Sequence, residues 1–517
     1  VTPSWTSPAH PLWRWLLAVC SLASAAALFA GPHLPSTDLP QHVAMIATFR
    51  HWFDPAWRFQ ETFTLALGQT QYLAYYLAGA LLAVPLGSAE RANLVLLGAI
   101  AVGFPYSLRS LLRALRQDER LALLGCALFF NQSLLIGFYN YLAAIPVTLW
   151  ALALAVRQAE APTLRRAVAL AALAVSLFYL HLSALVFFLP AAALVTWLMP
   201  QPAAARDLGA RLLRLWRPLW WTLPVGALGL LWLVTSPVVH PKTVGWSEPM
   251  SPGFMSPRVA LHEFPEALLD IWRGRADNWL MVALGLAALA LLAPWGKPPP
   301  EPGSRWRRGV AASLLGFALV LYFAMPHSIG WLFVLNTRYA VIAALVLPAT
   351  IRVAPGVRGA ALLLLSAAVS LALCANAALQ VRAFSLEAGD VDGLLARTQP
   401  GKRLQAVILE PESTVAKFLP YHHFGALYRA RYGGVAEYCF ADLPQSPVRY
   451  RPDAAPPPKP PGWEWDQSFR NEIDGPYFDY VLWRGPPEAF PPQGPGPTWK
   501  LLGRDGRWAL FEKAAAP

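Results

Sequence analysis

Residues 72–86 read YLAYYLAGALLAVPL. Whether this run crosses a bilayer decides the orientation of everything that follows it. Other apolar runs lie at about 13–31, 92–108, 120–137, 138–156, 166–181, 183–199, 218–236, 278–295, 309–325, 334–351 and 359–379. A membrane-spanning helix needs about 20 apolar residues, with about 17 as a floor, so several of these must borrow flanking residues. Basic residues arbitrate, because Lys and Arg collect in cytoplasmic loops. Suppose 72–86 makes no net crossing and the N-terminus is inside. The inside loops then hold Arg109, Arg113, Arg116 and Arg120; Arg157, Arg165 and Arg166; Arg206, Arg211, Arg214 and Arg217; Lys297, Arg305, Arg307 and Arg308; and Arg352 and Arg358. The outside turns near 131–138, 182 and 326–333 hold neither Lys nor Arg. Counting 72–86 as a crossing moves every basic cluster outside. The sequence therefore predicts about eleven crossings, a cytoplasmic N-terminus, and an interfacial or re-entrant helix at 72–86 that breaks near Pro85 and Gly87.

The composition points the same way. Of 517 residues, 56% are apolar and 14% charged, against roughly 45–50% and about 25% in soluble domains. Such a chain lacks the charge to cover a water-facing surface of its size, which excludes an ordinary cytosolic enzyme. A disordered protein needs the opposite balance. With 35 Gly and 4 Cys, collagen-like and disulfide-framework classes fail as well. Cys20, Cys126 and Cys374 sit in apolar runs and Cys439 stands apart, so no disulfide framework is expected. The net charge of +12 is what cytoplasmic loops supply, and nucleic acid is not an expected partner. The first run ends in SAAALFAGP, as a secretory signal does. Its thin basic flank (His10, Arg14) and long apolar stretch favour an uncleaved span.

Three segments then face outside: 32–91, 237–277 and the tail after about 380. The expected organisation is a transmembrane domain over 1–380 and a soluble domain over 381–517. The tail has ordinary polar composition and reads as a small α/β domain able to fold alone. Helix is expected at 386–398 and around 415–431, and strand at 403–409 and 478–483. A Pro-rich loop follows at 452–461, and WKLLGRDGRWALFEK closes the chain as a hairpin turning at Asp505-Gly506.

The loop 32–66 holds the chief candidate for chemistry. Ser36, Thr37, Asp38 and Pro40 make a helix start, and apolar positions 43, 46, 49, 52 and 53 continue it as an amphipathic helix at the membrane surface. Asp38 and His42, four apart, share a face. A carboxylate directly after the first span can act on something delivered by a lipid; alternatively it caps the helix by bonding backbone N–H groups. Asp54 and Glu61 read as turn and surface residues. Outward-facing polar residues near span ends are Asn131, Gln132, Tyr139, Asn140, His181, His240, Glu248, His262, Glu263, His327 and Arg338. Of these, Asn140, His181, His240, Glu248, His262 and His327 are candidates to line a substrate cavity, against the plainer reading of interfacial or bundle hydrogen bonds. Arg338 opens an apolar run, TRYAVIAALVLP. A cation at that depth costs a few kcal/mol and is commonly paired or functional, and its planar fork suits a phosphate; alternatively it snorkels to the interface. No Asp, Glu, Lys or Arg lies at the centre of a span, which argues against an ion-coupled transporter. There is no P-loop, Rossmann fingerprint or metal-protease motif.

Asp38 in STDLPQH, the helix QYLAYYLAGALLAVPLG, the run ending LRSLLRALR, the segment GFYNYLAAIPVTLWALAL and the late TRYAVIAALVLP together resemble the GT-C fold of integral-membrane glycosyltransferases. That group contains the protein mannosyltransferases and the aminoarabinose transferases of lipid A. The resemblance spans roughly 12–380. It implies an all-α polytopic bundle with interfacial helices and a small extracytoplasmic α/β domain, in the cell (inner) membrane. It further implies a sugar carried on a polyprenyl phosphate and transferred on the outer face to an unknown acceptor, be it glycan, lipid or protein. Asp38 would then be the catalytic base, and Arg338 with His42 would hold the donor phosphate. Many members carry two neighbouring acidic residues in this loop, whereas Leu39 follows Asp38 here, which leaves a divalent metal open; no metal ligands are assigned. A lipid or polysaccharide transporter or flippase, and a non-catalytic scaffold presenting the tail, are the other classes the sequence admits.

Overall fold

The computed structural model describes residues 3–200, 209, 219–240, 250–293, 305–437, 439–458, 469–486 and 496–514. Its principal helices are α1 (Pro11–Ala27), α2 (Leu39–Arg50), α3 (Ala74–Leu86), α4 (Ala89–Ala114), α5 (Tyr139–Glu160), α6 (Leu164–Leu180) and α7 (Leu182–Leu198), then α8 (Leu223–Thr235), α9 (Pro257–Leu268), α10 (Ala276–Leu292), α11 (Arg305–Ala324), α12 (Arg338–Val346) and α13 (Val357–Ala388). Among the described residues, five stretches, Ala89–Ala114, Glu119–Ile136, Tyr139–Glu160, Arg305–Ala324 and Val357–Ala388, are long and apolar enough to cross a membrane, and six shorter apolar helices accompany them. Large apolar side chains such as Trp15, Leu81, Leu231 and Leu286 are exposed on these helices, as a lipid-facing surface requires.

One expected span has an irregular form. The run 120–137 is not a single α-helix but two 3₁₀ stretches, Glu119–Gly125 and Ala127–Phe129, followed by a short α-helix, Gln132–Ile136. Protein encloses it almost completely (94% buried), so neighbours rather than lipid meet its broken backbone. Asn131 repairs the last break: its side chain accepts the Ser133 N–H at 2.8 Å and donates to Leu128 O at 2.8 Å.

The decisive run 72–86 forms α3. It buries Tyr75, Tyr76, Gly79, Ala80 and Ala83 and leaves Leu77, Leu81 and Val84 exposed. The buried face lies on α2. At Gly79 a Cβ would stand 2.6 Å from Ile46 Cδ1, so only glycine lets the two helices approach this closely. The helix ends where Gly87 turns left-handed, at φ 70°.

The starts of α5, α7 and α12 meet at one end of the bundle. The opposite ends carry charge: Glu119 bonds Arg109 and Arg113, and Glu160 bonds Arg307.

The tail forms β2 (Arg403–Ile408), α14 (Ala426–Tyr432), β3 (Val435–Ala436), β4 (Val448–Tyr450), β5 (Tyr480–Arg484), β6 (Trp499–Asp505) and β7 (Trp508–Lys513); β1 (Phe63–Leu65) lies earlier, in the first loop. Five strands make one sheet in the order β3-β2-β5-β7-β6, parallel at β3-β2-β5 and antiparallel at β5-β7-β6. Leu404, Ile408, Tyr421, Phe424, Leu427, Leu482, Trp508 and Leu510 pack together as its core. The hairpin turns at Gly506 with φ 51°. Two helix expectations are corrected. The helix expected at 386–398 is split, because α13 ends at Gly389 (φ 66°) and Asp390 caps a new short helix, Val391–Leu395. Of the helix expected around 415–431, 426–432 is helical; Tyr421 and Phe424 before it turn inward onto the sheet. The described part of the Pro-rich stretch, 452–458, holds neither helix nor strand.

The tail docks onto the first loop. Strand β4 pairs with β1 antiparallel, Phe63 opposite Tyr450. Arg431 bonds both Glu90, at the start of α4, and Asp392, at 2.6 and 2.7 Å, while α14 packs on α2.

Candidate active site

Five consecutive residues at the start of α5, Gly137-Phe138-Tyr139-Asn140-Tyr141, reach Asp38, His42, His181 and Arg338. The stretch 36–38 lies along the segment just before them. Thr37 N–H donates to Leu135 O at 2.8 Å and Asp38 N–H to Ile136 O at 3.0 Å. Ser36 Oγ donates to Leu134 O at 2.7 Å and accepts from the Tyr139 hydroxyl at 2.8 Å. Gly137 has φ 107°, and a Cβ there would sit 2.5 Å from Asp38 Cβ. Gly137→Ala is therefore expected to cost about 1–3 kcal/mol of backbone strain and to push Asp38 out of place, read as a lower melting temperature in detergent together with slower sugar transfer.

Asp38 occupies the N-cap position of α2 but makes no side-chain capping bond. The capping alternative is thus not realised, and the carboxylate is left for other work. It keeps 18% of its side-chain surface, and Oδ1 lies 3.4 Å from His423 Nε2. Burial pushes this carboxyl up to about 7, with the nearby His42 ring opposing the rise. It is poised to exchange a proton near neutral pH.

His42 is fully engaged. A carbonyl can only accept, so Nε2 carries the hydrogen and donates to Gly137 O at 2.5 Å. Nδ1 then accepts from the Tyr76 hydroxyl at 3.0 Å. The ring stacks on Tyr139 and Tyr76, and burial pulls its pKa down to about 4. Neither nitrogen is free for a phosphate oxygen. The contacts make His42 a clamp between α2, α3 and α5, in contrast to the phosphate contact that the resemblance implies. Asn140 bonds the Tyr76 hydroxyl, and its buried Oδ1 has no hydrogen-bond partner.

Arg338, 6% exposed, lies over the Phe138 ring at 4.2 Å. Its backbone carbonyl accepts from the Tyr141 hydroxyl at 2.5 Å. The guanidinium reaches His181 Nε2 and Ser183 Oγ, each at 3.2 Å, and Phe333 O at 3.3 Å, while Nε has no partner. Among the described residues no carboxylate pairs with it. The His181 contact is weaker than its distance suggests. His181 Nδ1 already accepts the Ser183 N–H at 3.1 Å as the cap of α7. A neutral imidazole has one acceptor nitrogen, so Nε2 cannot also accept from Arg338. Nε2 instead faces the Tyr72 hydroxyl at 3.4 Å. The result is a buried, fixed, unneutralised cation with open donor capacity, the arrangement an anion completes.

The other candidates fall elsewhere. His240 bonds Leu233 O of the preceding helix and is exposed. His262 is 87% exposed beside Glu263 on α9. His327 bonds Asn336 Oδ1 at 3.0 Å, bracing the approach to Arg338 rather than meeting Asp38. Glu248 lies outside the described residues. Sequence reasoning missed Tyr72, Tyr76, Gly137 and Ser183, and above all His423, whose one visible cue is the pair His422-His423 in an otherwise aromatic stretch. Among the described residues, no three His, Cys, Asp or Glu side chains gather as metal ligands, and both His42 nitrogens are occupied. The residues around Asp38 do not fit a metal.

No family model and no curated protein matches this chain. Among solved structures it is similar to the cryo-EM structure of the arabinofuranosyltransferase AftD from Mycobacteria, with a TM-score of 0.50 and 16% identity, over 99% of this chain and 40% of that one. A mutant form of the same enzyme aligns at a TM-score of 0.49 and 16% identity, over 97% of this chain and 42% of that one. The chain thus spans about 40% of the length of the first enzyme. At this identity the shared property is the fold alone.

Proposed function

We propose that the protein is a membrane glycosyltransferase of GT-C type. It takes a pentosyl or hexosyl group from a polyprenyl-phosphate carrier and passes it to an acceptor on the extracytoplasmic face. The observation that carries this reading is the mounting of an uncapped carboxylate, Asp38, and an unneutralised guanidinium, Arg338, on one five-residue segment. Asp38 accepts the proton of an acceptor hydroxyl as that oxygen bonds to the anomeric carbon. The bond from the anomeric carbon to phosphate breaks, and the polyprenyl phosphate leaves as an anion. Such a leaving group needs no acid, only a cation placed where its charge develops, and Arg338 supplies it.

The location of the polar groups favours transfer over transport. Tyr139, His181, Ser183 and Arg338 all sit at helix starts or ends on one side of the bundle, whereas a transport path would continue towards the Glu119 and Glu160 ion pairs. The fold shared with an arabinofuranosyltransferase is compatible with this reading and names neither sugar nor acceptor. The test uses purified protein and a panel of short synthetic polyprenyl-phosphoryl pentoses and hexoses, with release of polyprenyl phosphate as the readout. Turnover of one member is expected. Failure of every member either to react or to bind would overturn the proposal.

A further inference from the structure

We infer that His423, carried by the C-terminal domain, is a positioning residue for Asp38: its Nε2–H donates to the carboxylate and sets that group's direction and basicity. The inference rests on the reading of Asp38 as the base. It makes the C-terminal domain part of the active site rather than an appendage.

The contact itself is Asp38 Oδ1 to His423 Nε2, at 3.4 Å, with the histidine side chain 7% exposed. Among the described residues no other side chain bonds this carboxylate. The helix-cap bond that commonly holds an N-cap Asp is absent, so the imidazole takes over the work of orienting it. The donor assignment follows from chemistry. An ionised carboxylate only accepts, so Nε2 must carry the hydrogen. Burial holds His423 down to about 3 and His42 to about 4, so both rings are neutral at pH 7; at 3.4 Å the contact is longer than an ordinary N–H···O bond, and a small approach of the ionised carboxylate to the ring closes it. The groups facing Asp38 are His42 on its own helix, Tyr76 on α3, Tyr139 on α5 and His423 from the domain. Of these, His42 gives both nitrogens to other partners, Tyr76 gives its hydrogen to His42, and Tyr139 gives its hydrogen to Ser36. That leaves His423 to donate.

The docking of the domain is built for such a task. His423 lies just ahead of α14, which packs on the Asp38 helix. Arg431, near the end of α14, is fastened to Glu90 and Asp392. The β1–β4 pair ties the domain to the far side of the same loop. At Gly433 (φ 72°) a Cβ would meet the Trp57 ring at 3.2 Å, so chain and loop are in close contact there too. A solubility appendage would need none of these ties.

Removing the donor leaves the carboxylate equally desolvated with one fewer hydrogen bond to its charged form, so its pKa rises. The test needs no substrate. Full-length protein in detergent is treated with dicyclohexylcarbodiimide, which attacks protonated carboxyls, across a pH series, and Asp38 labelling is read by peptide mass. Wild-type labelling is expected to halve near pH 7. In His423→Leu the midpoint moves up by about one unit, the scale of a lost hydrogen bond to a carboxylate. In His423→Gln, whose amide can still donate, it returns towards wild type. His423→Phe gives the same reading should the Leu variant fail to fold. An unmoved midpoint in the apolar variants, or a Gln variant that behaves like Leu, would overturn the pairing. The two readings fail separately: normal transfer by an Asp38→Asn variant removes the base while leaving the labelling shift intact.

Discussion

Asp38→Asn lowers sugar transfer about 10²–10⁴-fold, the range a positioned general base contributes, while leaving the amount of folded protein unchanged. The substitution keeps the volume of the side chain and disturbs no cap, since Asp38 makes no side-chain capping bond. It removes the basic oxygen. The wild-type rate should climb with pH up to about 7, where the buried carboxyl gives up its proton, and flatten above. Stability moves the other way. The folded-state pKa is raised above its ordinary value of 3.8, so folding binds a proton that the unfolded chain releases. The burial of Asp38 is without penalty below pH 3.8, and the penalty grows to its full size as pH rises through 7. The Asn variant carries no such charge. It should therefore melt higher than wild type at pH 8, with the difference vanishing towards pH 4. A variant that is both inactive and more stable at high pH marks Asp38 as functional. Equal activity with unchanged melting would assign it to the surface.

The features legible in the sequence were those that break a local rule. Asp38 interrupts the exit from an apolar run and Arg338 opens one, and a charge in such a place has few structural explanations. Asp505-Gly506 announced its hairpin because the turn needs a positive φ, and Gly506 has it. Gly389-Asp390 carried an equally readable stop and start, a left-handed residue followed by a capping side chain, yet the apolar residues around it suggested continuous helix. The features that were not legible depend on contacts far apart in the chain. Nothing near residue 63 or 450 shows that Phe63 will lie opposite Tyr450. His423 reads as an ordinary histidine until the domain is docked. Likewise, the 3₁₀ form of Glu119–Gly125 follows from its enclosure by other helices rather than from its own composition. Local pattern revealed the charges of the site. The hydrogen-bonding groups that give them direction appear only in three dimensions.

Arg338→Met is expected to abolish transfer and yet to stabilise the protein. The guanidinium is buried, its Nε lacks a partner, and the one imidazole beside it cannot accept from it while also capping α7. Such a group is held in place by the Phe138 and Tyr141 rings, Ser183 and the Phe333 carbonyl, none of which neutralises it. Even buried pairs are often replaced by apolar side chains at a gain of about 1–4 kcal/mol, and an unpaired cation has more to shed. A methionine fills much the same volume and adapts to the rings. The measurement is a pair of melting curves in detergent, with and without a short polyprenyl monophosphate. Wild type should melt lower than Arg338→Met without the lipid and gain on adding it, because a ligand that binds the folded state alone stabilises it by mass action. The variant should show no gain. Arg338→Lys should recover part of the lipid response, since it restores the charge but not the planar fork that grips two oxygens. If instead the methionine variant unfolds readily, Arg338 is a structural strut and the phosphate must be sought elsewhere. A stable variant that still responds to the lipid leads to the same conclusion by the opposite route.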